Sequence, residues 1–136
     1  MSDPQQIADA FRLALDREDW PAARRSLADD CEYLLGSKTI AGADAIVASY
    51  AESAAWGREN LDEIAYESQL SQENEETFSI LFTDHLRSGD RTHTYQCRQE
   101  VVVDQSGRIV RIMHCELPGQ RAALQEYFDR CGLRRD

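Results

Sequence analysis

Between Thr92 and Leu117 apolar and polar positions alternate in two runs, interrupted by Asp104-Gln105-Ser106-Gly107. Alternation of period two, rich in Val, Ile, Thr and Tyr, predicts half-buried strands. The interrupting residues are those of a tight turn, so the stretch reads as a long β-hairpin. With Asp104 opposite Gly107, Val101 meets Val110 and Glu100 meets Arg111. Apolar then faces apolar, and opposite charges meet across the ladder. A one-residue slip would oppose Val101 to Arg111, which disfavours it. One face carries Tyr95, Cys97, Gln99 and Val101 beside Val110, Ile112, His114 and Glu116. The other carries Arg98, Glu100 and Val102 beside Ile109, Arg111, Met113, Cys115 and Leu117. Apolar groups mixed with side chains that donate, accept or titrate suit a lined pocket, and the first face has that mixture.

Upstream, a second pair of runs has the same period. Ile64, Tyr66, Ser68 and Leu70 alternate with polar residues, and Phe78 to Leu86 returns after the polar Ser71–Glu75. Arg87-Ser88-Gly89-Asp90 then turns the chain into the first hairpin. A two-residue turn there places Phe78, Ile80, Phe82 and Asp84 on the face of Tyr95 and His114; a three-residue turn places His85 there instead. Helical spacing appears elsewhere. Asp3 and Pro4 start a helix with Ile7, Ala10, Phe11, Ala14 and Leu15 on one stripe. Asp19-Trp20-Pro21 starts a short second one, with Ala22, Ala23 and Leu27 as its apolar positions. Cys31 to Leu35 reads as a short strand that turns at Gly36-Ser37. A third helix runs from about Ala43 to Trp56 and stops at Gly57, and a last one carries Leu124, Tyr127, Phe128 and Cys131 before Gly132.

Composition narrows the possibilities. At 136 residues the chain is a single domain, residues 1–136, with room for one core. Fifteen Lys and Arg against 25 Asp and Glu give a net charge of -10, which repels a phosphate backbone, so nucleic acid is not an expected partner. No run approaches the ~18 apolar residues of a membrane span. The start lacks the basic flank and apolar stretch of a secretory signal, so the reading is cytoplasmic. Cys31, Cys97, Cys115 and Cys131 form no Cys-x-x-Cys pair and no zinc spacing with histidine. They read as small buried side chains, with no metal site.

The order helix, helix, strand, helix, four-strand meander, helix suits a bent antiparallel sheet covered by helices. The chain resembles the nuclear transport factor 2-like superfamily, and within it the SnoaL-like branch. The residues that carry the resemblance are Leu27-Ala28-Asp29-Asp30-Cys31-Glu32-Tyr33, Ile40 to Ile46, and Val103 to Val110. It implies an α+β cone, a curved antiparallel sheet wrapped around helices, usually homodimeric with one pocket per subunit. Relatives include isomerases, polyketide cyclases, dehydratases and epoxide hydrolases, and also non-catalytic binding domains. Ketosteroid isomerases have their base aspartate a few residues after the equivalent of Asp30. This chain has Leu34-Leu35 there, so that chemistry does not carry over.

By the same resemblance Tyr33 and Leu35 point inward. Phe78, Ile80, Phe82 and Ile112 would line the pocket with them, joined by Cys97, Gln99 and Glu116 and closed from behind by Phe11 and Tyr50. His114, whose ordinary pKa lies near neutrality, is the first candidate for acid–base work. Asp84 and Glu116 are the next, because a carboxylate facing an apolar cavity has a raised pKa. Tyr95 or Tyr33 could polarise a substrate oxygen. Trp20 and Trp56 read as packing residues. One reading is a binder of a small apolar molecule. The other is a cofactor-independent enzyme, an isomerase, cyclase, dehydratase or hydrolase, using His114 or a carboxylate. The second hairpin face, with Leu81, Val102, Ile109, Met113, Cys115 and Leu117, is too apolar to leave in water and predicts a homodimer.

Overall fold

In the computed structural model, which describes residues 3–133, Asp3 caps the first helix from both sides. Its carboxylate accepts from the Gln5 N–H at 3.1 Å, and the Gln6 side chain reaches back to the Asp3 N–H at 3.3 Å. Met1 and Ser2, part of the start read for a secretory signal, lie outside the described residues. Four helices follow this start: α1 (Pro4–Asp16), α2 (Trp20–Ser26), α3 (Ala43–Asn60) and α4 (Gln120–Arg130). None of them is long and apolar enough to cross a membrane.

The strands are β1 (Leu27–Leu35), β2 (Lys38–Ala41), β3 (Glu63–Gln72), β4 (Thr77–Ser88), β5 (Arg91–Val103) and β6 (Ile109–Glu116). They form one open sheet in the order β2-β1-β6-β5-β4-β3. Every pairing is antiparallel except β1 with β6, which is parallel and makes the sheet mixed. The helices pack on its inner face, giving an α+β cone. Phe11 and Ile46 meet Leu27, Phe78, Ile80, Val101, Ile109 and Ile112 in one core cluster. Leu61, Leu86, Leu124, Tyr127 and Phe128 form a second. Each fully buried side chain of that size contributes about 1.5–3 kcal/mol.

The β4–β5 turn settles the open parity. Ser88 pairs with Arg91, leaving the two-residue loop Gly89-Asp90 with Gly89 at φ +61°. A first loop residue of positive φ is what a type II′ hairpin turn needs. Asp84 therefore lies opposite Tyr95, and Phe82 opposite Cys97, on the inner face. His85 points outward, where its Nε2 lies 2.8 Å from Glu67.

The β5–β6 register differs from the sequence expectation. Val101 faces Ile112 rather than Val110, and Glu100 faces Met113 rather than Arg111. The reason is the loop. Asp104 Oδ1 accepts from the Ser106 N–H, and the Asp104 N–H donates to the Arg108 carbonyl at 3.0 Å, so the connection takes in Arg108 and is longer than a two-residue turn. The slide of two keeps the faces from Ile112 onward. A bulge at Val110, opposite the step from Val102 to Val103, reverses them before it: Ile109 is fully buried in the core and Val110 only partly buried. Two element boundaries also move. β1 begins at Leu27 rather than Cys31, and α3 runs to Asn60 through Gly57. That glycine serves close packing rather than termination, since a Cβ there would sit 3.0 Å from Ile64 Cδ1.

Candidate functional site

A cavity of about 440 Å³ opens between the two core clusters, walled by α1, α3, α4 and the concave sheet. Tyr33, Leu35, Phe82, Cys97 and Gln99 line it, as do Asp84, Tyr95 and His114. Phe78, Ile80 and Ile112 do not: they are sealed in the core, at most 1% exposed, because α1 and α3 pack directly on that half of the sheet. Phe11 is sealed with them, whereas Tyr50 reaches the cavity wall.

On one side of the cavity a hydrogen-bonded relay crosses four elements, α3, β5, β1 and β6. Tyr50, on α3, donates its hydroxyl proton to Gln99 Oε1 at 2.6 Å. Gln99 Nε2 donates to the Tyr33 hydroxyl at 2.8 Å and to His114 Nδ1 at 3.2 Å. With that amide orientation Nδ1 accepts, the ring proton sits on Nε2, and Nε2 donates to Glu116 Oε1 at 2.8 Å. Gln99 faces His114 across the ladder, and Cys97 faces Glu116, in place of the Cys97–His114 pair expected from the sequence. His114 is thus bonded at both nitrogens, and its partners do not include Asp84. The Tyr33 ring stacks on Tyr50 at 5.5 Å, and burial pushes the Tyr33 hydroxyl up to about 12.

Glu116 closes this relay at the rim. It accepts from Tyr95 at 2.9 Å and from Arg121 Nη2 at 2.6 Å, while the Arg121 guanidinium lies over the Tyr95 ring at 5.2 Å. Burial pushes the Glu116 carboxyl up, but the bonds from His114, Arg121 and Tyr95 outweigh it and hold the group below its usual range. Glu116 thus ties β6 to Tyr95 of β5 and to Arg121 of α4 at the rim.

Asp84 has the opposite environment. Burial, and next the nearby charge of Asp16, push its carboxyl up to about 7; only His85 acts in the other sense. Asp16 lies at the end of α1, also on the cavity wall. Its Oδ2 accepts from Ser68 at 2.5 Å, and its buried Oδ1 has no hydrogen-bond partner among the described residues. Burial raises the Asp16 carboxyl as well. Cys97, next to these groups, is pushed by burial to about 12 and is an inert thiol at neutral pH.

Sequence reasoning missed Asp16 and Arg121. Asp9, Arg12 and Asp16 recur as a polar helical edge, the pattern of a solvated face. Only the docking of α1 on β3 through Ser68 turns that edge inward. Arg121 sits in the exposed first turn of α4 and has no local signal. Trp20 and Trp56 line the cavity, and Trp56 also packs edge-on against Phe128 at 4.9 Å. Among the described residues no group of three or more His, Cys, Asp and Glu could hold a metal ion.

No family model matches the sequence, and no curated protein matches it. Solved structures do match. An LEH-like epoxide hydrolase from M. tuberculosis is 18% identical, with a TM-score of 0.66, over 93% of this chain and 92% of that one. TerC, crystallised with polyporic acid, is 14% identical at a TM-score of 0.70, over 94% and 99%. An NTF2-like protein of unknown function from Burkholderia pseudomallei K96243 is 18% identical at 0.67, over 91% and 98%. Identities this low carry the fold and not the activity. The chain has the fold of the nuclear transport factor 2-like proteins.

Proposed function

We propose that the protein binds a small, mainly apolar molecule in the cone. The cavity itself supports this most directly: at about 440 Å³ it falls in the size range of ligand sites, with mostly apolar walls and a few convergent polar groups. That neighbours of the same fold include an epoxide hydrolase and a protein crystallised with polyporic acid agrees with such a use. A thermal-shift screen of an apolar compound library tests it. Ligands should raise the melting temperature of the native protein and not of Ala54→Leu, which fills the cavity wall at an overpacking cost of about 1–3 kcal/mol. A library that stabilises neither protein, or both equally, defeats the proposal.

A second reading, proton transfer without a cofactor, is supported by Asp84. A carboxyl held near 7 can take a proton from a carbon acid and return it at neutral pH. Tyr33 would hydrogen-bond the substrate oxygen, and His114 would hold Gln99 and Glu116 in place rather than react. Solvent-deuterium exchange into a panel of apolar ketones should then occur and vanish in Asp84→Asn. Exchange that survives that substitution rules out Asp84 as the base. We also propose a homodimer through the outer sheet face, where Met113 is the one exposed large apolar side chain among the described residues and Val102, Cys115 and Leu117 are half-buried.

A further inference from the structure

The charged complement of the cavity wall is one-sided. Its described acidic side chains are Asp16 and Asp84, and its one described cationic side chain is Arg121. Arg121 is already taken: it lies at the rim, bonded to Glu116 and Tyr95. The cation closest in sequence to Asp16 on its helical face, Arg12, pairs with Asp9 and donates to the Ser68 carbonyl at 3.1 Å; its charge and that of Arg17 favour the Asp16 carboxylate from a distance, without a bond to it. The two carboxyl groups share one wall. Asp16 bonds Ser68 on β3, and Ser68 is a diagonal neighbour of Asp84, whose direct cross-strand partner is Tyr66.

A buried acceptor without a donor is costly, and Asp16 Oδ1 is such an atom among the described residues. A group that brings both a donor and a positive charge relieves the orphaned acceptor and the mutual repulsion of the two acids together. A hydroxyl supplies only the donor, and a carboxylate adds to the repulsion. A bare metal ion needs more ligands than these two residues give, and no larger group of metal-binding side chains occurs among the described residues. The cavity is also lined by the aromatic rings of Trp20, Trp56 and Phe82, a residue class whose faces attract cations and accommodate an apolar body; Tyr66 lines it too, but the Arg58 guanidinium already lies over its ring at 5.9 Å.

We infer that the molecule bound in this cavity is an apolar amine, held as its ammonium ion by Asp16 and Asp84. The inference rests on the cavity being a ligand site and names the class of ligand. Naphthylethylamine, naphthylethanol and naphthylpropionate share one apolar body and differ in the polar group, so calorimetric titration of the native protein with each at neutral pH separates the terms. The amine should bind at least tenfold more tightly than the alcohol, and the propionate most weakly. Asp16→Asn and Asp84→Asn should each reduce the amine's advantage about fivefold or more and leave the alcohol within about twofold. The ranking in the native protein needs no variant, so a variant that fails to fold does not remove the test. An alcohol or propionate that binds as well as the amine overturns the inference while leaving the cavity a ligand site. So does an amine advantage unchanged in both variants. If none of the three binds and no member of the wider apolar library stabilises the protein, the ligand-site reading fails and the inference fails with it.

Discussion

Asp84 shows how a single side chain links fold and chemistry. Its folded pKa, about 7, lies above its ordinary value of 3.8, so the folded state holds the proton more tightly than the unfolded chain does. The stability this gives is present in full below about pH 4 and is lost as pH rises through about 7. Asp84→Asn removes the cost of burying a charge. Thermal or denaturant unfolding should show the variant more stable by about 2–4 kcal/mol near pH 8 and close to the native protein near pH 3.5. Asp16 and His85 are the charged neighbours that modulate the window, so a variant no more stable than the native protein near pH 8 would mean that Asp84 is already hydrated or paired. The alternation around Asp84 was legible in the sequence, but its direction was not. That depended on whether the turn at Gly89 holds two residues or three, a choice in which every side chain of β4 changes face.

The elements themselves were written in the periodicity, and their pairings less so. The face assignment of Tyr95, Cys97 and Gln99 opposite Ile112 and His114 follows from alternation alone. The register does not, because the Asp104 side chain folds the loop into a wider turn and Val110 bulges out, and neither leaves a trace in the hydrophobic pattern. The same limit applies to Gly57. From sequence it looks like a helix stop, yet it lies inside α3 where Ile64 crosses closely. Gly57→Ala brings a Cβ 3.0 Å from Ile64 Cδ1, the far end of a side chain that borders the cavity and has space to turn into. Relief of the glycine's helix penalty is worth about 1 kcal/mol, so the variant should be neutral to about 1 kcal/mol more stable in chemical denaturation. A loss of more than about 1 kcal/mol would mean that Ile64 is pinned.

At the scale of the whole molecule the cavity could not be read from the sequence, because its walls come from residues as far apart as Leu15, Tyr50, Phe82 and Phe128. The residues expected to line it were the apolar ones on the right face. Three of those, Phe78, Ile80 and Ile112, became core because two helices cover that end of the sheet and α4 covers the other. The outer face bears on assembly. It offers less apolar surface than the sequence suggested, since Ile109 turned inward, and Arg98 bonds Ser79 across it at 2.7 Å. Light scattering at micromolar concentration should still give a dimer, and Met113→Asp should give a monomer with an unchanged circular dichroism spectrum. A native monomer, or a dimer indifferent to the substitution, would remove this face as the interface.

The parallel pairing of β1 with β6 imposes a schedule on the chain as it is made. β3, β4 and β5 join neighbours through short loops and can assemble as they emerge, at little loop-closure cost. β1 and β2 emerge first, yet their place in the sheet exists only once β6 has formed against β5. Contacts so far apart in sequence slow folding. The backbone edge of β1 therefore waits unpaired through most of synthesis. Pulse-labelled hydrogen exchange during refolding should find the β3–β5 amides protected before those of β1.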